Sequence, residues 1–254
     1  MQSKRFYLTR QTKILIFAGL YKISTFILQD CFTDMDTMKN DNIDLIKKYF
    51  PALTPGQTDA FAQLGDLYRE WNAKINVISR TDTDNLYCRH VLHSLAIAAF
   101  LGDLLPGTTF MDLGTGGGFP GIPLAIFYPE CRFHLIDRIG KKIKVASDIA
   151  SRIGLNNVSF QHGDSGECHG KFDYVVSRAV MPLDALWKAC SRNIDVASPR
   201  KNRYAPGLVC LKGGDLDAEI AALRRPAMEV PVTDFFSESF FETKDIVYVP
   251  SKTK

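Results

Sequence analysis

Asp112 and Asp137 bracket a glycine-rich loop, and together the three describe a nucleoside pocket. Phe110-Met-Asp-Leu-Gly-Thr-Gly-Gly-Gly-Phe-Pro-Gly-Ile-Pro-Leu124 runs from an apolar segment into glycines at 114, 116, 117, 118 and 121. Such a loop lets backbone approach a nucleotide-like ligand, because no Cβ intervenes. Asp137 lies nineteen residues beyond Gly118, where an acid would bind a pair of ribose hydroxyls. Glycine spacing leaves two cofactors open. Gly116-Gly-Gly-Phe-Pro-Gly121 satisfies G-x-G-x-x-G, the dinucleotide fingerprint, which alone is a weak signal. Asp112-x-Gly114-x-Gly116-x-Gly118 reads instead as the acid-plus-alternating-glycine loop of S-adenosylmethionine enzymes. In that reading the acid sits beside the amino acid moiety and the loop curves under the sulfonium.

Other reactive residue types are sparse. His90 and His93 share a helical face without a third ligand nearby, so packing or capping roles are expected and no metal site. Cys168-His169 lacks the pattern of an activated nucleophile. The cysteines at 31, 88, 131, 168, 190 and 210 form no C-x-x-C pair, which reads as reduced thiols of a cytoplasmic protein. The net charge of +3 does not imply nucleic-acid binding; a basic surface must come from clustering. Two clusters exist: Arg138, Lys141, Lys142 and Lys144, and Arg200, Lys201 and Arg203. Both are expected at the carboxyl ends of strands, with Tyr204 available to stack on an unpaired base.

At 254 residues and 46% hydrophobic, the chain can bury a full core. Residues 1–37 look atypical. Lys4, Arg5, Arg10 and Lys13 precede an apolar run from Ile14 to Tyr21, which Lys22 interrupts. The run is too short to span a bilayer and has no clear cleavage site, so an extension without function, from an upstream start, is expected rather than a membrane anchor. Residues 38–104 read as helical. Thr54-Pro55 is an N-cap followed by proline at the first turn, and Phe61, Leu64, Leu67, Tyr68, Trp71 and Ile75 form one apolar stripe. From 105 to 254 short strands alternate with helices, predicting a parallel sheet covered on both faces. Strands are expected at 108–113, 132–136, 157–161, 172–176 and 207–211. Helices are expected near 121–128, 140–153, 181–191 and 215–224. Two last extended runs, 228–236 and 242–249, joined by a turn at Ser237–Ser239, would form an antiparallel pair closing a seven-stranded sheet. This pair is expected to complete the sheet without a separate catalytic domain, which favours the methyl-donor reading over hydride chemistry.

The chain resembles the bacterial small-subunit rRNA (guanine-N7) methyltransferases called RsmG, or glucose-inhibited division protein B, over about residues 41–250. The likeness rests on Trp71-Asn-Ala-Lys-Ile-Asn76, on Arg89-His90 with Ser94-Leu95, and on Asp112 to Pro123 with its Phe-Pro-Gly-Ile-Pro tail. It rests further on Ser177-Arg178-Ala179, expected just after strand four, and on Leu211-Lys-Gly-Gly-Asp-Leu216. The resemblance implies a Rossmann-like α/β methyltransferase sheet, its last strand antiparallel, behind an N-terminal helical subdomain. It implies S-adenosylmethionine as cofactor and 16S rRNA or the small ribosomal subunit as partner, with no membrane partner. Asp112, Gly114, Gly116, Gly118, Phe119, Asp137 and Arg178 would bind the cofactor, Arg178 at its edge facing the substrate. Ser165 and Gly166 fall where the family has Arg-Ala-Glu or Arg-Val-Glu against the adenosine, so a carboxylate there must come from Asp164 or Glu167. Arg138 stands where the family has serine, and His93 where it has aspartate.

The implied product is 7-methylguanosine. Guanine N7 carries a free lone pair, so no strong base is needed and in-line positioning is the main task, worth roughly 7–11 kcal/mol for well-oriented reactants. Arg178 would then reach O6 beside N7, while Lys212 would meet phosphate. Arg200, Lys201, Arg203 and Lys212 are the expected RNA contacts. A small-molecule methyltransferase, an S-adenosylmethionine-binding RNA chaperone and a nicotinamide enzyme are the other readings these residues leave open.

Overall fold

The computed structural model describes residues 42–178 and 180–251; the atypical segment 1–37 lies outside them. Contacts separate the chain into residues Met1–Asn40 and Asp41–Lys254, and the second unit holds every element below.

Among the described residues, four α-helices and one π-helix precede the sheet. Helix α1 spans Ile43–Tyr49 and α2 spans Pro55–Lys74. Thr54 closes a capping box with Gln57: the threonine hydroxyl accepts from Gln57 N at 3.3 Å, and Gln57 Oε1 accepts from Thr54 N at 2.9 Å. Such a cap is worth about 1 kcal/mol. Gln57 also donates to the carbonyls of Ile126 and Phe127, which fixes the start of α2 against the sheet layer. The expected stripe is buried at Phe61, Leu64, Leu67 and Tyr68. After the short helix α3, Arg80–Thr83, the chain winds as a π-helix over Tyr87–Leu92 before continuing as α4, His93–Leu101.

The strands are β1 Thr109–Leu113, β2 Arg132–Asp137, β3 Val158–His162, β4 Tyr174–Arg178, β5 Gly207–Gly213, β6 Met228–Pro231 and β7 Lys244–Pro250. Between them lie α5 Gly121–Phe127, α6 Gly140–Arg152, α7 Leu183–Cys190 and α8 Asp217–Leu223. Sheet order is β3-β2-β1-β4-β5-β7-β6, with β1 to β5 parallel and β7 antiparallel to both β5 and β6. This is the seven-stranded α/β sheet the sequence predicts. Alternate strand residues face opposite layers: Phe110, Phe133 and Tyr174 pack with the N-terminal helices, whereas Met111, Val175 and Leu208 pack with α7 and α8. The helices of 43–101 therefore share one core with the sheet.

Two of the boundaries that move have a visible cause. β4 begins at Tyr174 rather than 172, because Asp173 turns inward: its Oδ2 accepts from Thr109 N at 2.8 Å and Thr109 Oγ1 at 2.9 Å. Ser177 and Arg178 consequently end the strand instead of following it. β6 stops at Pro231, and two 3₁₀ turns, Val232–Asp234 and Ser239–Thr243, replace the expected turn at Ser237–Ser239. The cause is apolar burial: Phe236 and Phe241 tuck inward, and Tyr49 meets Phe236 with ring centroids 4.7 Å apart.

Candidate active site

A cleft of ≈ 540 Å³ opens at the carboxyl ends of β1, β2 and β4, within the roughly 300–1,000 Å³ usual for small-molecule sites. Its floor is the loop after β1. Gly114 and Thr115 donate their N–H groups to the Ile136 carbonyl, at 2.9 and 3.1 Å, and so extend the β1–β2 ladder into the loop. Gly114 and Gly116 take φ of +71° and +57°, a region that side chains other than glycine rarely enter. A Cβ on Gly114 would meet Val180 at 2.7 Å, whereas one on Gly116 would point into open space. Gly118 supports the loop from behind and does not line the cleft.

The two acids divide the work. Asp137 lines the cleft; its Oδ2 accepts from Gly116 N and its Oδ1 from Ile139 N, both at 2.8 Å. Each oxygen keeps lone-pair capacity for a ligand hydroxyl. Asp112 is fully buried beneath the loop, where its Oδ2 accepts from Thr115 Oγ1 at 2.6 Å and Gly121 N at 2.8 Å. It does not line the cleft, so the expected place beside the amino acid moiety gives way to a support under the backbone. Its Oδ1 has no partner, and burial pushes the carboxyl up to about 7. A Cβ on Gly121 would strike that carboxylate at 2.7 Å, which explains a glycine at the first position of α5.

On the third side, Ser165 lines the cleft and Gly166 does not. Neither Asp164 nor Glu167 lines it. Asp164 caps the turn by accepting from Gly166 N at 2.7 Å and pairs with Arg138, and the Gly166 N–H and Arg138 hold its carboxyl low. Glu167 accepts in return from Asp164 N at 3.3 Å. Both carboxylates hold this local turn together.

Arg178 reaches the cleft from the end of β4. Its guanidinium stacks on Phe119 with Cζ 5.1 Å from the ring centroid, while Tyr68 stacks against Phe119 at 4.7 Å. Tyr68 donates to Gly117 O at 2.7 Å, and burial raises the phenol far above its usual value, so it remains a donor. Desolvation lowers the Arg178 guanidinium to about 10, against the pull of Asp112; it stays charged at neutral pH. Val77 and Ile78, from the loop after α2, and Val180 and Met181, after β4, complete the rim. Arg138 and Lys142 stand at its open edge.

Lys212 does something other than expected. Its buried ammonium donates to Met181 O and to Glu219 Oε2, each at 2.7 Å, and it does not line the cleft. Glu219 also accepts from Leu183 N at 3.0 Å, so the pair ties α8 to the rim segment. The Arg200–Arg203 loop lies at a different end of the sheet from the one expected. It leads into Gly207, which pairs with Tyr174 at the start of β4. That is the amino end of the sheet, about 17 Å of strand away from the cleft. There Arg200 pairs with buried Asp173 at 3.3 Å, and Tyr204 stacks on Phe100 at 4.3 Å, with Arg203 over its ring. Tyr204 is thereby packed, partly buried, against the core.

The residues that sequence reasoning missed are Tyr68, Val77, Ile78, Val180 and Met181. Tyr68 read only as core stripe, and it is buried as expected; the apolar rim residues carry no chemical signal before folding.

A model of the family described as rRNA small subunit methyltransferase G, GidB, matches residues 57–235. The chain belongs to this family. Ribosomal RNA small subunit methyltransferase G of Parabacteroides distasonis is 53% identical over 218 residues, covering 86% of this chain and 94% of the relative. The Bacteroides thetaiotaomicron protein of the same name is 54% identical over 207 residues, covering 81% and 98%. Among solved structures, MtNAS in complex with MTA and tNA superposes with a TM-score of 0.50 at 14% identity. It covers 76% of this chain and 74% of that one, a likeness of fold alone. As a GidB-family protein the chain is a methyltransferase that depends on S-adenosylmethionine. The residues present fit that cofactor. Gly116 leaves open space where a Cβ would stand, and Asp137 offers acceptors at the rim.

Proposed function

We propose that this enzyme methylates N7 of a guanine in 16S ribosomal RNA, in the cytoplasm, on the naked RNA or the small subunit. The observation that carries the reading is Arg178: a charged guanidinium held at the cleft floor beside the glycine cradle, with donors to spare. Guanine presents O6 next to N7 on one edge, and arginine is the side chain whose fork suits that edge.

Asp137 would hold the ribose hydroxyls of the cofactor, Gly114 and Gly116 would carry its amino acid end, and Phe119 and Ser165 would flank it. Held there, S-adenosylmethionine would supply a sulfonium methyl to the guanine N7 lone pair, with the C–S electron pair going to sulfur. No proton leaves N7, so no residue need act as a strong base. Arg178 would donate to O6 and fix N7 in line, and orientation of this kind is worth about 7–11 kcal/mol. Lys212 would act through the rim segment it anchors rather than on phosphate. The phosphate contacts would come from Arg138, Lys141, Lys142 and Lys144, beside the open edge of the cleft. Among the described residues Lys141, Lys142 and Lys144 carry no ion pair, and Lys141 and Lys144 are exposed.

The test is transfer of a labelled methyl group to 16S rRNA from cells lacking this enzyme, with 23S rRNA and GTP as competitors. Selective labelling of 16S rRNA, with a single-turnover rate flat between about pH 6 and 9, is expected for an unprotonated N7 nucleophile. Labelling of GTP alone would return the enzyme to small-molecule substrates. Cofactor binding with no transfer to any RNA would leave an RNA chaperone.

A further inference from the structure

Arg178 is aimed by a second residue. Its Nη2 lies 2.9 Å from His90 Nδ1, and its Nη1 donates to the Arg89 carbonyl at 3.3 Å. A guanidinium has only donors, so His90 must present a lone pair at Nδ1 and carry its proton on Nε2. That Nε2 is buried without a partner. Burial and the Arg178 charge hold the imidazole down at about 3, so the neutral ring persists through the ordinary pH range. The imidazole also tilts against Phe119 with centroids 5.1 Å apart, the ring on which Arg178 stacks.

The backbone around His90 is unusual in the same place. Tyr87–Leu92 is π-helical, directly before the α-helical turn of His93. π-turns inside helices are rare and occur frequently at functional sites. Here the wide turn brings two acceptors, the Arg89 carbonyl and His90 Nδ1, to one guanidinium. Packing alone does not explain the residue type. A leucine would fill the site without a buried, unpaired N–H, whose desolvation is unfavourable. The groups facing His90 from other elements are Arg178 of β4 and Phe119 of the glycine loop, with Asp82 of α3 and, on its own π-turn, Arg89 acting through charge.

We propose that His90 is a positioning residue for methyl transfer: its Nδ1 lone pair, presented by the π-turn, aims Arg178 at the guanine edge. This rests on the reading of Arg178 given above. Of five guanidinium donors, two are used on the π-turn, leaving the others for the substrate.

The test compares His90→Phe, which keeps a ring but no lone pair, with His90→Asn, whose side-chain oxygen can accept from Arg178. Arg178→Ala serves as the reference. In single-turnover transfer to 16S rRNA, His90→Phe should lose about 10²-fold in kcat, the scale of an ångström's misplacement. KM for S-adenosylmethionine and the affinity for S-adenosylhomocysteine should stay put, and His90→Asn should recover most of the rate. Equal rates for His90→Phe and wild type, or equal losses in Phe and Asn variants, would overturn the proposal. An Arg178→Ala enzyme with full activity would instead overturn the reading of Arg178. Should His90→Phe fail to fold, ¹⁵N NMR of histidine-labelled wild-type enzyme decides. A lone-pair Nδ1 signal that shifts in Arg178→Ala supports the proposal, and a protonated Nδ1 contradicts it.

Discussion

Gly116 and Asp112 show how differently two neighbouring residues of one motif act. At Gly116 the backbone has φ +57° and a Cβ would meet nothing within 4 Å. Gly116→Ala should therefore cost only about 1–2 kcal/mol of left-handed strain while placing a methyl in the cofactor's space. Calorimetry should show a large loss of S-adenosylhomocysteine affinity beside a small drop in unfolding midpoint; unchanged affinity would contradict the cradle. Asp112 governs stability instead. Its folded carboxyl titrates near 7, above the ordinary value of 3.8, so the native state binds more protons than the unfolded state between those values. Stability contributed by this group is then present at low pH and lost as pH rises from about 4 to 7. Asp112→Asn should flatten that part of the urea-midpoint profile, and an unchanged slope would refute the assignment. The need for glycine at 116 was legible in the sequence, because glycine spacing follows from backbone geometry, whereas the buried place of Asp112 beneath the loop was not. Neither was that of Lys212. Its partner Glu219 lies on another element, and only folding reveals that the pair is internal.

Elements, more than residues, set the cleft's upper wall. Asn72, near the end of α2, clamps the following loop: its Oδ1 accepts from Val77 N at 2.8 Å and Ile78 N at 3.1 Å. Its Nδ2 donates to Ile78 O at 3.0 Å and Thr83 Oγ1 at 2.8 Å. The clamp presses Val77 against Gly117, where an added Cβ would collide with the valine. Asn72→Ala leaves those N–H groups unpaired, a cost on the order of 1–3 kcal/mol. It should loosen S-adenosylhomocysteine binding more than Asn72→Asp, which keeps the acceptor. Equal affinities in the two variants would show that the loop holds itself. The alternation of strands and helices was readable from period and punctuation. The π-turn at Tyr87–Leu92 and the early end of β6 were not, since the first serves Arg178 and the second serves buried phenylalanines, both contacts across the fold.

For the whole molecule, the decisive quantity is which end of the sheet a charge occupies. A net charge of +3 says nothing about it, and counting strands in sequence does not separate the loops before β5 from those after it. The parallel order does: Arg200, Lys201 and Arg203 fall at the amino ends, Arg138 to Lys144 at the carboxyl ends beside the cleft. Lys141→Ala with Lys144→Ala should weaken 16S rRNA binding and lower the salt slope by about 1 for each phosphate no longer neutralised. Lys201→Ala with Arg203→Ala should leave both unchanged. A reversal of that pattern, measured by filter binding across salt, would move the RNA to the opposite end. Among the described residues no helix is long and apolar enough to cross a membrane. The family makes the chain an rRNA methyltransferase, and transfer to guanine N7 is the proposal to be tested. The most direct measurement incubates unmethylated 16S rRNA with the enzyme and S-adenosylmethionine, then treats it with borohydride and aniline, which cut RNA at 7-methylguanosine. A single discrete cut that disappears with Arg178→Ala is the predicted result. Methyl incorporation without any cut would contradict transfer to N7.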